Sequence, residues 1–507
     1  VFATIPMGDA YRDITFAGGQ VNAAFIPLWM GLVSVLSVAN ATEHPDALLD
    51  HVIGLPGFQL STVLQAVTGG EAAYDGPFWQ QRSPLSVADE ITAPTFIVGG
   101  LDDIFQRGEP LLYEALADHT DARLLLGPWA HITAGQGLPA DGVPSTDALR
   151  LQWFDAHVRG LDSGVECVPE VMQYVRGVDE YRSAPAWPVP DLAAQRWYLQ
   201  GDGTLDGATP PEAGPGRDYL QLPVTGVCTR STNQWLIGAL SGSPCETDNR
   251  LDESVPGALT YTSEPFGDST YVNGPIQADL WLRPTTDEAL VSVAVSDVAP
   301  DGTSRGLTNG LLSASHRAVD PERSRMLDGQ SVQPWHPFGR VDVLPVVPGE
   351  AIHVPVEVFP TSAVIRPGHR LRVTISAYDV PHALPPIPAA LSSLGGPVTV
   401  LSDAAHPSSI VLPVVSELAT ELPTGDDGAT VGDAPPPPIP AADEPDQPVS
   451  PVDGRPAAAG GTSVLGVMRP ASTTSPSRPD GTALALLAAV LVTGAGLCLR
   501  RRATRPE

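Results

Sequence analysis

The chain has 507 residues, a formal net charge of −30, 54 Pro and 49 Gly, and no Lys. That length exceeds what one hydrophobic core usually organises, so two or three domains plus accessory segments are expected. The acidic balance excludes nucleic-acid binding through phosphate contacts, because counterion release needs clustered cations.

The chain opens at Val1 inside an apolar stretch, without an initiator Met, a basic leader or a cleavage-site pattern. It is therefore read as lacking its natural N-terminus. Within the first 160 residues, Thr95 to Val98 is entered from Pro94 and closed by Gly99-Gly100. Its length and continuous apolarity predict a strand buried on both faces of a parallel sheet. A helix is predicted from Glu109 to Asp118, and Arg123 to Leu126, stopped by Gly127-Pro128, supplies a second strand. Ligands in such sheets sit beyond the carboxyl ends of the strands.

Asp102 and Asp103 follow the first of these strands, and His131 follows the second within Gly127-Pro128-Trp129-Ala130-His131. An acid and then a base at the carboxyl ends of neighbouring parallel strands is what an α/β-hydrolase needs to orient a general base. The alternative is a pair of ordinary loop residues. In that fold a Ser precedes the Asp on a strand-to-helix elbow of sequence GxSxG. Ser34, Ser37, Ser61, Ser83 and Ser86 precede Asp102, but none has the flanking glycines that let an elbow turn so tightly. The nucleophile is expected outside this chain.

From about Gln195 to Val415 short runs such as LTYTSEPF, ADLWLRP, ALVSVAVSDV, HVPVEVFP and RLRVTISAYDV recur between turn signals, which predicts an antiparallel sandwich or jelly roll. A GxSxG does occur here, from Gly302 to Gly306, but it follows Pro300-Asp301 and separates two strand-like runs. It is read as a hairpin turn. Cys228 and Cys245 flank a Gly/Ser/Thr/Asn-rich stretch, the pattern of a loop-closing disulfide outside the cytoplasm, with two unrelated thiols as the alternative. No CxxC or Cys/His cluster suggests a metal, and no cofactor is expected.

Residues 416–481 are dominated by Pro, Ala, Gly, Ser, Thr and Asp and are predicted to form a disordered spacer. Residues 482–499 (TALALLAAVLVTGAGLCL) carry no charge and run straight into Arg500, Arg501 and Arg502. They predict one transmembrane helix, with residues 500–507 cytoplasmic and the folded domains extracellular.

Several segments in fixed order carry a family resemblance. They are YDGPFWQQRSPLSVADEITAPTFIVGGLDDIFQRGEPLLYEALADHTDARLLLGPWAH from Tyr74, LQWFDAHVRGLDSG from Leu151, MQYVRGVDEYRSAPAWP from Met172 and RWYLQGDGTL from Arg196. DVAPDGTSRGLTNGLLSASHR from Asp297 and FPTSAVIRPGHRLRVTISAYDVPH from Phe359 complete the set. Over roughly residues 1–415 the chain resembles the Xaa-Pro dipeptidyl-peptidase and cocaine-esterase (CocE/NonD) family of serine hydrolases. The resemblance implies an α/β-hydrolase domain over 1–160, incomplete and with a helical cap at about 20–80, a connection over 161–195, and a jelly-roll domain over 196–415. The family's Gly-x-x-Asp-x-Phe pattern falls on Gly100 to Phe105 and implies Asp103 as the triad acid, with Asp102 in reserve. Its Gly-Pro-Trp-x-His pattern implies His131 as general base. Phe105 and Trp129 would then line the substrate pocket or support its walls, the alternative being plain core residues. The implied activity is hydrolysis of a small-molecule ester or a peptide bond through an acyl-enzyme, with release of N-terminal dipeptides as one form. A non-catalytic cell-surface protein, with a degenerate hydrolase domain and a ligand-binding jelly roll, is the competing reading.

Overall fold

A computed structural model of the chain describes residues 1–23, 25–40, 45–415 and 420–421. The predicted transmembrane helix at 482–499 and nearly all of the predicted spacer lie outside the described residues. Among the described residues no helix is long and apolar enough to cross a membrane.

The chain enters through a short strand, β1 (Phe2–Thr4), and then forms helices α1 (Phe25–Asn40), α2 (Pro45–Gly54) and α3 (Ser61–Thr68). The two apolar runs that follow form β2 (Thr95–Gly100) and β3 (Ala122–Gly127), joined by helix α4 (Gly108–Ala117). They pair in parallel from Thr95 opposite Ala122 to Gly100 opposite Gly127, and β1 adds in parallel on the other side of β2. Continuous apolarity is explained by burial on both faces. Ile97, Leu124 and Leu126 pack on Leu112, Tyr113 and Leu116 of α4. Phe96, Val98 and Leu125 pack instead on Leu149 and Trp153 of helix α5 (Thr146–His157). Full burial of each such side chain stabilises the fold by about 1.5–3 kcal/mol. The α5 helix starts at Ser145, whose hydroxyl accepts the Ala148 N–H at 3.2 Å.

The stretch 161–195, expected as a connection, is more than that. It contributes β4 (Val171–Val175), parallel to β3, and β5 (Glu180–Ala184), antiparallel to β4. Val171 and Val175 point to the α4 side of the sheet and Met172 to the α5 side, so this strand too is buried on both faces.

The second domain is antiparallel and β-rich. Its main strands are β6 (Leu192–Leu199), β7 (Leu259–Thr262), β8 (Thr270–Pro284), β9 (Leu290–Val298), β10 (Ser304–Ser313), β11 (Ile352–Ile365), β12 (Arg370–Ser376) and β13 (Ser409–Val415). They hydrogen-bond in the order β7-β12-β9-β10-β11-β8-β13-β6. Alternate residues such as Val293, Val295, Val354, Val356, Val373 and Ile375 are fully buried and build one core. The GxSxG at 302–306 forms the β9–β10 hairpin turn and the start of β10: Gly302 sits at φ +88° and Ser304 opens the strand. The Ser304 hydroxyl donates to Glu253 Oε1 at 2.6 Å.

The two domains share backbone hydrogen bonds. The Arg176 N–H donates to Ser362 O at 3.0 Å, and the Val364 N–H to Arg176 O at 2.8 Å, which fixes the end of β4 against β11. Gln20–Asn22 also pairs with Ala383–Leu384, tying the base of α1 to the β-rich domain.

Candidate active site

The carboxyl ends of β2 and β3 lie side by side because the strands are parallel and in register to their last glycines. Both glycines at the end of β2 are required by close approach. A Cβ on Gly100 would lie 2.3 Å from Trp129 O, and one on Gly99 would lie 2.3 Å from Glu109 Oε2. The loop after β2 then turns tightly, with the Asp103 N–H donating to Gly100 O at 3.0 Å and the Asp102 N–H to Trp129 O at 3.0 Å. This links the acid loop to the loop that carries the base.

Asp103 is completely buried, and its Oδ2 lies 2.9 Å from His131 Nδ1, while His131 remains 28% exposed through the rest of its ring. Asp103 Oδ1 accepts the Phe105 N–H at 2.8 Å. Burial raises the Asp103 carboxyl above its ordinary range, and the hydrogen bond from His131 opposes that shift. A carboxylate so fixed on Nδ1 leaves Nε2 for proton transfer, the geometry of a general base. Among the described residues no Ser hydroxyl is hydrogen-bonded to His131.

Asp102 faces elsewhere. Its Oδ2 accepts from Arg176 Nη2 at 2.6 Å and its Oδ1 from Arg230 Nη1 at 3.0 Å. Burial acts to raise its carboxyl, but the two guanidiniums outweigh burial and hold it below the usual range. Phe105 meets the His131 ring edge to face, with centroids 5.4 Å apart, beside Ile104 and Trp235. Trp129 is buried behind the loop that carries His131. Its indole is 2% exposed in the core with Phe96, Leu125 and Trp153, and its Nε1–H donates to Gln136 O at 2.8 Å.

Cys228 and Cys245 are joined as a disulfide across 17 residues. The closed loop contains a short helix, α6 (Arg230–Trp235), which reaches the acid loop. Gln234 Nε2 donates to Asp103 O at 2.6 Å, and Arg230 Nη2 to Gln106 Oε1 at 2.9 Å. The Ile132 N–H, next to the base, donates to Ile237 O at 3.0 Å, and Ile237 holds a φ of +56°. That conformation is costly for a β-branched residue.

Sequence reasoning missed Arg176, Arg230, Gln234 and Glu109. Arg230 contacts a residue 128 positions away, and no local pattern encodes that. Glu109 had a signal, an acid in the first turn of a helix directly behind the candidate triad loop. It is fully buried, and its Oε2 accepts the Gly100 N–H at 2.9 Å. Among the described residues no group of three or more His, Cys, Asp or Glu is arranged to hold a metal ion.

Comparisons with known proteins address the family of the chain. Residues 1–133 match the model of the X-Pro dipeptidyl-peptidase (S15 family), and residues 163–411 match that of the X-Pro dipeptidyl-peptidase C-terminal non-catalytic domain. A protein of Mycobacterium bovis named as a serine esterase is 30% identical over 302 residues, which is 58% of this chain and 46% of that protein. The cocaine esterase of a Rhodococcus species is 26% identical over 80% of this chain and 75% of its own length. The chain thus spans about half the length of the mycobacterial relative. Among solved structures, a CocE/NonD family hydrolase from Staphylococcus aureus superposes with a TM-score of 0.58 at 16% identity, covering 82% of this chain and 67% of that one.

Proposed function

The chain belongs to the CocE/NonD and X-Pro dipeptidyl-peptidase family of serine hydrolases, and on that premise we propose that the whole protein hydrolyses ester or peptide bonds of small substrates through an acyl-enzyme. His131 takes the proton from a nucleophilic Ser that the described residues do not supply and returns it to the leaving group. Asp103 holds the Nδ1–H tautomer and stabilises the imidazolium that forms. The observation that carries this reading is the 2.9 Å contact between buried Asp103 and part-exposed His131 at the ends of two parallel strands. We read the β-rich domain as a jelly roll, because its strand order skips along the sheet as a Greek key does. The disulfide supports an extracytoplasmic location, and the uncharged segment 482–499 supports a membrane anchor.

The test is hydrolysis of p-nitrophenyl esters and of Xaa-Pro p-nitroanilides by the full-length protein. Activity on either class, lost by about 10⁴-fold or more in His131→Ala, is the expected result. Undiminished activity in that variant overturns the reading.

A further inference from the structure

A cluster of cations that includes Arg176, the partner of Asp102, lies beside the β4–β5 turn. A cleft of about 370 Å³ beside the β4–β5 turn is lined by Arg176, Arg305, Arg366 and His369. Its walls come from both domains. Arg176 follows β4, Arg305 lies at the start of β10, and Arg366 and His369 occupy the turn between β11 and β12.

Each arginine has a carboxylate near it, Asp102 for Arg176, Asp179 for Arg305 and Asp297 for Arg366, but only Arg176 is hydrogen-bonded to one. Arg176 is 4% exposed, and although its Nη2 is held by Asp102, its Nε has no hydrogen-bond partner among the described residues. Arg305 is 43% exposed, with its nearest carboxylate oxygen, on Asp179, 3.7 Å away and beyond hydrogen-bond reach. The Arg366 side chain is exposed and makes no hydrogen bond or ion pair among the described residues. Among the described residues Asp297 is the one carboxylate in the lining, and it turns both oxygens to His369 Nδ1, at 2.8 and 3.0 Å. Among the described residues His369 Nε2 carries no hydrogen bond.

A chain of formal charge −30 repels anions over most of its surface, so three arginines from two domains at one cleft are not explained by composition. Guanidiniums match oxyanions through paired N–H donors in a planar fork. A carboxylate has two oxygens and one charge, too few for side chains arriving from three directions. A phosphoryl group has three acceptor oxygens and about −1.5 to −2 charge near neutral pH. The cleft volume is within the roughly 300–1,000 Å³ range of small-molecule sites and exceeds the needs of a bare ion. Leu307 and Val364 supply an apolar wall for the rest of a ligand.

We propose that this cleft binds the phosphate group of a small phosphomonoester. The test titrates phenyl phosphate into this chain by calorimetry at constant ionic strength, with inorganic phosphate and benzoate as comparison probes. One-to-one binding of phenyl phosphate is expected, with benzoate at least tenfold weaker. An Arg305→Gln/Arg366→Gln double variant should bind phenyl phosphate at least tenfold more weakly. Both replaced side chains are exposed, and an unchanged thermal midpoint without ligand shows that the variant is folded. Absence of saturable binding, equal binding of benzoate, or unchanged binding by the double variant overturns the proposal. Inorganic phosphate binding as tightly as phenyl phosphate overturns the phosphomonoester assignment in favour of the free ion.

Discussion

Asp102 and Asp103 are adjacent in the chain, yet one is bound to two buried arginines and the other to His131. The tight turn after β2 points their carboxyl groups in different directions, so only Asp103 touches the candidate base. In the full-length protein Asp103→Asn should lower ester turnover by about 10⁴-fold, since the amide no longer fixes the Nδ1–H tautomer of the base. Asp102→Asn should lower it far less in protein that remains folded. Steady-state turnover of both variants decides the matter, and the reverse ranking assigns the triad acid to Asp102.

A structural role for Asp102 has its own consequence. Arg176 and Arg230 are each about 4% exposed, and burial pulls the Arg230 guanidinium down to about 10 even with Asp102 beside it. Removing the carboxylate by Asp102→Ala leaves two buried cations without their shared anion. Breaking a buried ion pair in this way costs about 3–5 kcal/mol. Urea unfolding of this chain and its variant measures that loss, and a change below about 1 kcal/mol contradicts the role.

How much of this could be read from the sequence depends on how local each feature is. β2 and β3 were legible because both faces of each strand are buried, which makes every residue from Phe96 to Val98 apolar without alternation. The Asp103–His131 pair followed from position, since parallel strands bring their carboxyl ends together whatever lies between them. β4 and β5 were missed because Val171 to Val175 is interrupted by Gln173 and Tyr174 and ends at Arg176-Gly177, which looks like linker. Gln173 is fully buried and accepts from Asn273 Nδ2 at 2.8 Å, a partner 100 residues away. Trp129 is open for a similar reason, because an aromatic beside a candidate general base is compatible with either a pocket wall or a core.

The disulfide between Cys228 and Cys245 encloses the α6 helix that contributes Arg230 and Gln234 to the acid loop. Closing a loop of this length stabilises by about 3 kcal/mol in the chain-entropy model. A Cys228→Ala/Cys245→Ala variant should lose about that much in urea unfolding. It should also show faster amide exchange from Gln234 through the loop at Asp103 than at β8, in the core of the other domain. Equal stability of the two proteins, or peptide mapping that finds both thiols free in the native chain, overturns the expectation.

Glu109 makes the stability of this region depend on pH in a defined direction. Burial raises its carboxyl well above the usual range and the charge of Asp103 adds to the rise, against the Gly100 N–H, which favours the ion. In the unfolded chain the same group titrates near its ordinary value of about 4.3. The folded state therefore holds a proton that the unfolded state has released over the interval between the two values. Stability from this group is fully present below about pH 4.3 and is lost as pH rises through the folded value, at up to about 1.4 kcal/mol per pH unit. Glu109→Gln keeps a carbonyl oxygen for the Gly100 N–H but cannot titrate. Wild type should thus lose stability relative to Glu109→Gln on going from about pH 5 to 7, as measured by urea unfolding at each pH. If the difference between the two proteins is flat over that range, Glu109 ionises in the fold, and the second acid behind Asp103 is a charged one.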